Sequence, residues 1–345
     1  MELRFHKFKT TPPVKIPIIS FKGKKKGKVC FISGGIHGDE LNGMMLVKRF
    51  IEDFEKRGLE KNMIGELIVM PILNVSGFVN GQRRAKPDGL DLNRAFPGKK
   101  SGTFSQQFAK ELFSKFISRA DFAIDCHDAG THSALVPHTR VGDEGTEKLG
   151  KIFGTEIIIK REGKKGMMAL EAFKKFGIPL ITVEIGGAKH IYEDQLRDSI
   201  KGIKNLMRTY GMLSGKPEKT RGQKVLTDRY GVKSQATGII ELNLELGKRV
   251  HKGDVVGKIY HPHLFREHTL VAPLCGMIFS IHDHQIVKKG RVMYSILEMK
   301  ECHGKPCSEK DFGELQDESL QHVVMGGMRC SSRSKRSFVL WAGQS

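Results

Sequence analysis

Five short runs in the first two thirds of the chain are apolar at nearly every position, and they limit the architecture more than any other feature. They lie at residues 28–33 (KVCFIS), 66–72 (ELIVMPI), 121–126 (DFAIDC), 155–159 (TEIII) and 179–185 (PLITVEI). Each falls far short of the ~20 apolar residues of a membrane span. Rich in Val and Ile, they read as strands buried on both faces. Between them the period changes to that of a helix. Residues 40–57 place Met44, Val47, Ile51 and Phe54 on one face, and residues 104–119 do the same with Phe104, Phe108, Leu112 and Phe116. A last helix is expected over 191–210, closed by Gly211. Strands alternating with amphipathic helices predict an α/β domain over residues 1–213.

After a polar linker at 214–223 (SGKPEKTRGQ) the helical period disappears. Residues 224–299 hold short strands separated by glycine, and two stretches echo each other: ATGIIELNLELGKRVHKGDVVGKIY and APLCGMIFSIHDHQIVKKGRVMYSIL. Two similar halves of this kind predict a small all-β barrel-sandwich domain that resembles the biotinyl/lipoyl-carrier type. The exposed Met-Lys pair modified in such carriers is missing, so the domain is expected to be structural or to cover an active site. Residues 300–345 are polar, rich in glycine and serine and without a sustained period, and are expected to form a poorly ordered tail. Cys302, His303 and Cys307 lie there without a fourth metal ligand at a familiar spacing.

The formal net charge of +20 raises the question of nucleic acid. A binder of that kind concentrates its basic residues on one motif or stripe, whereas here they are spread over the predicted helices. The one cluster, KGKKKGK at 22–28, reads as an exposed hairpin turn. Neither nucleic acid nor membrane is therefore expected as a partner, and a positive field can steer small anions toward a cleft. The six cysteines show no paired spacing, and MELRFHKFKTTPP lacks the apolar stretch of a secretory signal, so a cytoplasmic location is expected. Homo-oligomerisation is left open.

Four motifs carry chemistry. In SGGIHGDELNG (33–43), His37 and Glu40 lie where a strand gives way to a helix, and glycines permit a tight bend that lets both reach one ion. Helix capping by Asp39 or Glu40 is the competing reading. AIDCHDAG (123–130) ends a strand at His127, and two histidines with one glutamate make a three-ligand zinc set that leaves a position open. LITVEIGG (180–187) carries Glu184 in an apolar segment, where a carboxylate is costly unless it has a partner or a task such as general base. RRAKPDGLDLNRAFPG (83–98) sets Asp91, Asn93 and Arg94 in a loop bounded by proline and glycine, suited to gripping a carboxylate.

In this order GGIHGDE, DGLDLNRAFPG, DCHDAG and TVEIGG resemble the succinylglutamate desuccinylase/aspartoacylase family of the zinc carboxypeptidase superfamily, over about residues 28–299. The resemblance implies a mixed central sheet flanked by helices, followed by the small β domain. It implies one Zn2+ per chain held by His37, Glu40 and His127, with Glu184 as general base and Asn93 and Arg94 holding the substrate carboxylate. Asp91 would fix the tautomer of His37. An arginine that polarises the scissile carbonyl falls best on Arg84, with Arg83 adjacent. The implied activity is hydrolysis of the amide of a small anionic N-acyl amino acid, or a related N-acyl amine, by metal-activated water and without a covalent intermediate. A carboxypeptidase acting on peptides and a non-catalytic binding protein are the alternatives. Tyr192, Tyr230 and Tyr260 are candidates for an assisting tyrosine, and Cys126 is expected to serve packing alone.

Overall fold

The structure is a computed structural model and describes residues 1–142 and 144–298. Its first ten strands are β1 (Glu2–Phe8), β2 (Val14–Lys22), β3 (Lys25–Gly34), β4 (Ile64–Met70), β5 (Phe122–His127), β6 (Ser133–Leu135), β7 (His138–Val141), β8 (Ile157–Lys160), β9 (Leu180–Glu184) and β10 (Lys224–Leu226). All but β6 form one nine-stranded mixed sheet in the order β1-β2-β4-β3-β5-β9-β7-β8-β10. The four central strands, β4, β3, β5 and β9, run parallel, while β2 and β7 lie antiparallel on either side. Four of the five apolar runs are these central strands, and the fifth is β8.

Among the described residues six α-helices accompany the sheet: α1 (Leu41–Lys56), α2 (Val75–Val79), α3 (Phe104–Lys115), α4 (Glu144–Phe153), α5 (Met168–Phe176) and α6 (Glu193–Thr209). The apolar stripes of α1, α4 and α6 bury Phe50, Phe54, Phe153, Leu196 and Ile203 on one side of the sheet. On the other side α3 and α5 bury Phe104, Phe108, Leu112 and Met168. This division explains why strands in the middle are apolar on both faces. Helix α3 starts with a capping box between Thr103 and Gln106 and ends at Lys115, with a 3-10 turn completing the expected segment. No helix among the described residues is long and apolar enough to cross a membrane.

Two local expectations are corrected. The basic cluster at 22–28 is not a hairpin turn: β2 and β3 do not pair, because β4 lies between them and bonds to both. Residues 224–226, grouped with the second domain by composition, belong to the large sheet, since Lys224–Leu226 pairs in parallel with Ile157–Ile159. Hydrogen bonding rather than texture decides where that strand belongs.

Beyond β10 come β11 (Tyr230–Lys233), β12 (Gly238–Leu242), β13 (Arg249–Val250), β14 (Val255–His261), β15 (Arg266–Val271), β16 (Gly276–His282), β17 (Ile286–Val287) and β18 (Val292–Glu298). They form two antiparallel sheets, β11-β18-β16-β13 and β15-β14-β12-β17. The two echoing stretches exchange their short strands: β13 of the first pairs with β16 of the second, and β17 of the second pairs with β12 of the first. The module is tied to the large sheet in two ways. Strand β6 adds to β16, and Val136, Ile157 and Ile159 join the module's apolar core. The tail at 300–345 and its Cys302, His303 and Cys307 lie outside the described residues.

Candidate active site

The carboxyl ends of the central strands carry two rows of polar residues in register. Ser33 of β3 faces Asp125 of β5, which faces Thr182 of β9, which faces Arg140 of β7. Two positions along, His127 faces Glu184, which faces His138. Side chains two apart on a strand share a face, so both rows open on the same side of the sheet. That side is the floor of a cleft of about 220 Å³ lined by His37, Glu40, His127, Glu184, His138 and Arg140, among others.

His37 and Glu40 reach this floor from the β3–α1 turn. Gly35 sits at φ +60°, a left-handed conformation that lets the chain reverse after the strand. Gly43, in the first turn of α1, lies so close to β5 that a β-carbon there would be 2.3 Å from the Cys126 carbonyl oxygen. Helix α1 therefore rests directly on the strand end that carries His127. Glu40 occupies the N-cap position but makes no side-chain cap. Instead Asp128 accepts a hydrogen bond from the Asn42 N–H at 2.7 Å, which leaves the Glu40 carboxylate to face the histidines. Asp39 does not take over the cap either, and its Oδ1 is buried without a hydrogen-bond partner.

The cluster is compact. Glu40 holds His37 Nδ1 through Oε1 and His127 Nδ1 through Oε2, both at 2.7 Å. The far nitrogens are backed by carboxylates, His37 Nε2 by Asp91 at 3.0 Å and His127 Nε2 by Asp125 at 2.7 Å. Asp125 is steadied by the Ser33 hydroxyl at 2.8 Å. One ligand atom from each of His37, Glu40 and His127 lies within 4.8 Å of the others, a group able to hold a metal ion. Burial disfavours charge on both histidines, but Glu40 with Asp91, and Asp125 with Glu40, outweigh it and raise their pKa values. Burial likewise opposes ionisation of Glu40, and the two histidines overcome it to hold that carboxyl well below the usual range. Asp128, desolvated and beside Glu40, is pushed up to about 7.

Asp91 lies against His37 Nε2. Asn93 is buried, and its Oδ1 accepts from the Met168 N–H at 2.8 Å, which leaves the amide NH2 as a donor. Asn93 and Arg94 both line the cleft. The two adjacent arginines take different places. Arg84 turns away and donates to the Gly89 carbonyl at 3.0 Å, whereas Arg83 lines the cleft and reaches Glu40 Oε1 at 2.8 Å and Asp91 at 3.6 Å. Glu184 is 8% exposed and has Arg140 at 3.5 Å, so it has both the arginine partner and a place on the cleft. None of Tyr192, Tyr230 and Tyr260 lines the cleft. Cys126 is fully buried, and burial pushes its thiol well up, which removes it as a nucleophile.

Several residues that face the cleft had no motif to announce them. Asp125, which backs His127 without lining the cleft, was legible in principle, since it lies two positions before His127 on one strand. His138 is buried with its pKa pushed down to about 3 by desolvation, aided by Arg140 and Arg229, and its Nδ1 contacts the Val136 carbonyl at 2.9 Å. Arg161 follows β8, while Thr227, Arg229, Phe279, Ser280 and His282 come from β10 onward. The second module thus supplies one wall of the cleft.

A mixed α/β sheet with a His-Glu-His group at its carboxyl edge, walled by a β module, defines the fold class and the site. Residues 26–210, more than half of the chain, match the model of the succinylglutamate desuccinylase/aspartoacylase catalytic domain, and the chain belongs to that family. It is 26% identical over 259 residues to the N-alpha-acetyl-L-2,4-diaminobutyric acid deacetylase of Halomonas elongata, covering 72% of this chain and 74% of the relative. A succinylglutamate desuccinylase from Silicibacter sp. TM1040 superposes with a TM-score of 0.73 at 25% identity, over 83% of this chain and 90% of that one. The product-bound ectoine utilization protein EutE of Ruegeria pomeroyi shares the fold with a TM-score of 0.76 at 24% identity, over 86% and 95% of the two chains.

Proposed function

We propose that this protein is a zinc-dependent deacylase that hydrolyses the amide bond of a small N-acyl amino acid. The observation that carries the reading is the convergence of His37 Nδ1 and His127 Nδ1 on Glu40, with Glu184 in register beside His127. Two imidazoles and a carboxylate, each imidazole backed by an aspartate, are the donor set and the supporting shell that suit zinc. His37, Glu40 and His127 would hold the ion. Zinc in such a site supplies Lewis acidity that brings the pKa of a water down to ~7.

The chain's own groups account for the rest. Arg83, rather than Arg84, donates to the scissile carbonyl oxygen, where negative charge grows as the water oxygen bonds to the carbonyl carbon. Glu184 removes a proton from that water and passes it to the amide nitrogen as the C–N bond breaks. The products are a carboxylate and a free amino acid, and no acyl-enzyme forms. Asn93 and Arg94 hold the substrate's carboxylate with the amide NH2 and the guanidinium. A cleft of about 220 Å³ walled by the second module supports a small substrate over a peptide.

The test is a panel of N-acyl amino acids given to the zinc-loaded protein, with wild type set against Glu184→Gln. The variant is expected to retain its zinc and to lose about 10³-fold or more in kcat. Wild-type rates in the variant would remove Glu184 from the chemistry.

A further inference from the structure

A second cavity, of about 280 Å³, shares no lining residue with the cleft. It lies on the seam where α6, the segment between α4 and β8, and the 214–223 linker meet the second module, which contributes Met277 of β16. Hydrogen bonds hold its walls together. Thr220 Oγ1 donates to the Gly154 carbonyl at 2.8 Å, and Gln223 Nε2 to the Thr155 carbonyl at 2.9 Å. The Asn205 amide pairs twice with the Glu218 backbone, accepting from its N–H at 2.9 Å and donating to its carbonyl at 3.0 Å. Gln195 lines the same cavity and is 4% exposed, yet its Oε1 and Nε2 are both buried without a hydrogen-bond partner. Among the described residues it is the only buried side-chain amide left in that state. A buried donor and acceptor with nothing to bond are costly, and a ligand that offers an acceptor and a donor together removes the cost.

Beside Gln195 the cavity gathers two carboxylates. Asp198 follows Gln195 by three residues on α6, so the two side chains share one face a single turn apart. Glu156, just before β8, also lines the cavity; desolvation and then the nearby Asp198 raise its pKa, against an opposing effect of Lys224. Of the lining lysines, Lys201 and Lys219 are both exposed, and Lys201 pairs with Asp198 at 2.8 Å. An ammonium group placed between the two carboxylates relieves their repulsion, whereas an anionic ligand adds to it. Phe153, Ile157 and Met277, all buried, give the cavity an apolar wall. We propose that this cavity is a second binding site, for a small α-amino amide: its ammonium group lies against Glu156 and Asp198, its carboxamide on Gln195, and its aliphatic part against Phe153, Ile157 and Met277. The two polar groups of such a molecule are a few bonds apart, which suits partners one helical turn apart. A volume of this size suits a small molecule over a chain segment. Binding here requires neither the zinc site nor turnover.

The experiment is a calorimetric titration of the full zinc-loaded chain with three compounds. L-leucinamide carries both polar groups, 4-methylpentanamide lacks the ammonium group, and isoamylamine lacks the amide. L-leucinamide is expected to bind about 10-fold more tightly than either, or better. Gln195→Leu and Glu156→Gln should each weaken L-leucinamide by about 10-fold, while Glu184→Gln in the cleft should leave its binding unchanged. L-leucinamide should also raise the melting temperature of wild type, and by less in the two cavity variants. No binding to wild type, equal binding of the three compounds, or unchanged binding in both cavity variants overturns the proposal. A loss confined to Glu184→Gln does so too, because it would put the amine in the cleft. Ligand-free melts show which variants are folded. Should Gln195→Leu melt early, Glu156→Gln, at a partly exposed position, decides alone.

Discussion

At one end of the cleft His37, Glu40 and His127 are at most 3% exposed, and each histidine is gripped on both ring nitrogens. Elsewhere on the cleft Arg140, Arg161 and Arg229 come from separate segments, and Arg140 reaches Glu184 at 3.5 Å. The first arrangement fixes its donor atoms and suits an ion that tolerates little change in ligand geometry. The second holds its guanidinium groups less tightly, Arg140 against Glu184 at 3.5 Å and Arg229 over the Phe279 ring. Fixed donor geometry and loosely held charge thus stand side by side in one cleft.

This contrast can be broken at named positions. The largest effect is expected where buttressing is tightest. Asp125→Asn should leave the fold intact and weaken zinc affinity by about 10- to 100-fold, measured by competition with a chelator, because a neutral amide replaces the charged carboxylate that orients the His127 ring and raises its basicity. The adjacent arginines come next. Arg83→Ala should lower kcat/KM by about 10²-fold, since it faces the cleft and removes a donor to the growing charge. Arg84→Ala should leave kinetics near wild type because its partner is the Gly89 carbonyl. Equal losses in both would show that the loop does not discriminate between them.

Packing under the rigid end gives a smaller effect. Gly43→Ala places a methyl group 2.3 Å from the Cys126 carbonyl oxygen, so α1 must move off β5. Thermal or denaturant unfolding should show a loss of about 1–3 kcal/mol, with weakened zinc binding alongside. The smallest effect lies away from the cleft, where Glu111 of α3 ties down edge strand β1 through the Lys9 N–H at 2.7 Å and His6 at 2.9 Å. Partial burial works against ionisation of Glu111, but Lys115, Lys9 and His6 outweigh it and lower its pKa. A lowered folded pKa means that the stabilisation is complete above the unfolded value of ~4.3 and fades as pH falls through the folded one. Glu111→Gln should therefore cost about 1 kcal/mol at neutral pH, and the difference from wild type should shrink below about pH 4.

The parallel centre of the fold was legible because burial on both faces forces near-continuous apolar runs, as in Ile32, Ile124 and Ile181. The His37, Glu40 and His127 group was legible because it gathers at the ends of two such strands, His127 closing β5 and the other two following β3 in the turn to α1. Other parts were not, for identifiable reasons. Strand β7 is four residues long and includes His138 and Arg140, so it has no apolar run to mark it, yet it brings both side chains to the cleft. Arg229 belongs to a segment whose composition suggested only the second module, and its place depends on β10 pairing with β8. Arg83 and Arg84 are adjacent and identical in type, and only their contacts in the folded chain separate them. Asp125 could have been read from its position two residues before His127.

The account stands on the His37, Glu40 and His127 group, and zinc stoichiometry tests it most directly. Metal analysis after exhaustive dialysis should find about one zinc per wild-type chain and almost none in His37→Ala or His127→Ala. Wild-type stoichiometry retained in both variants would contradict the account.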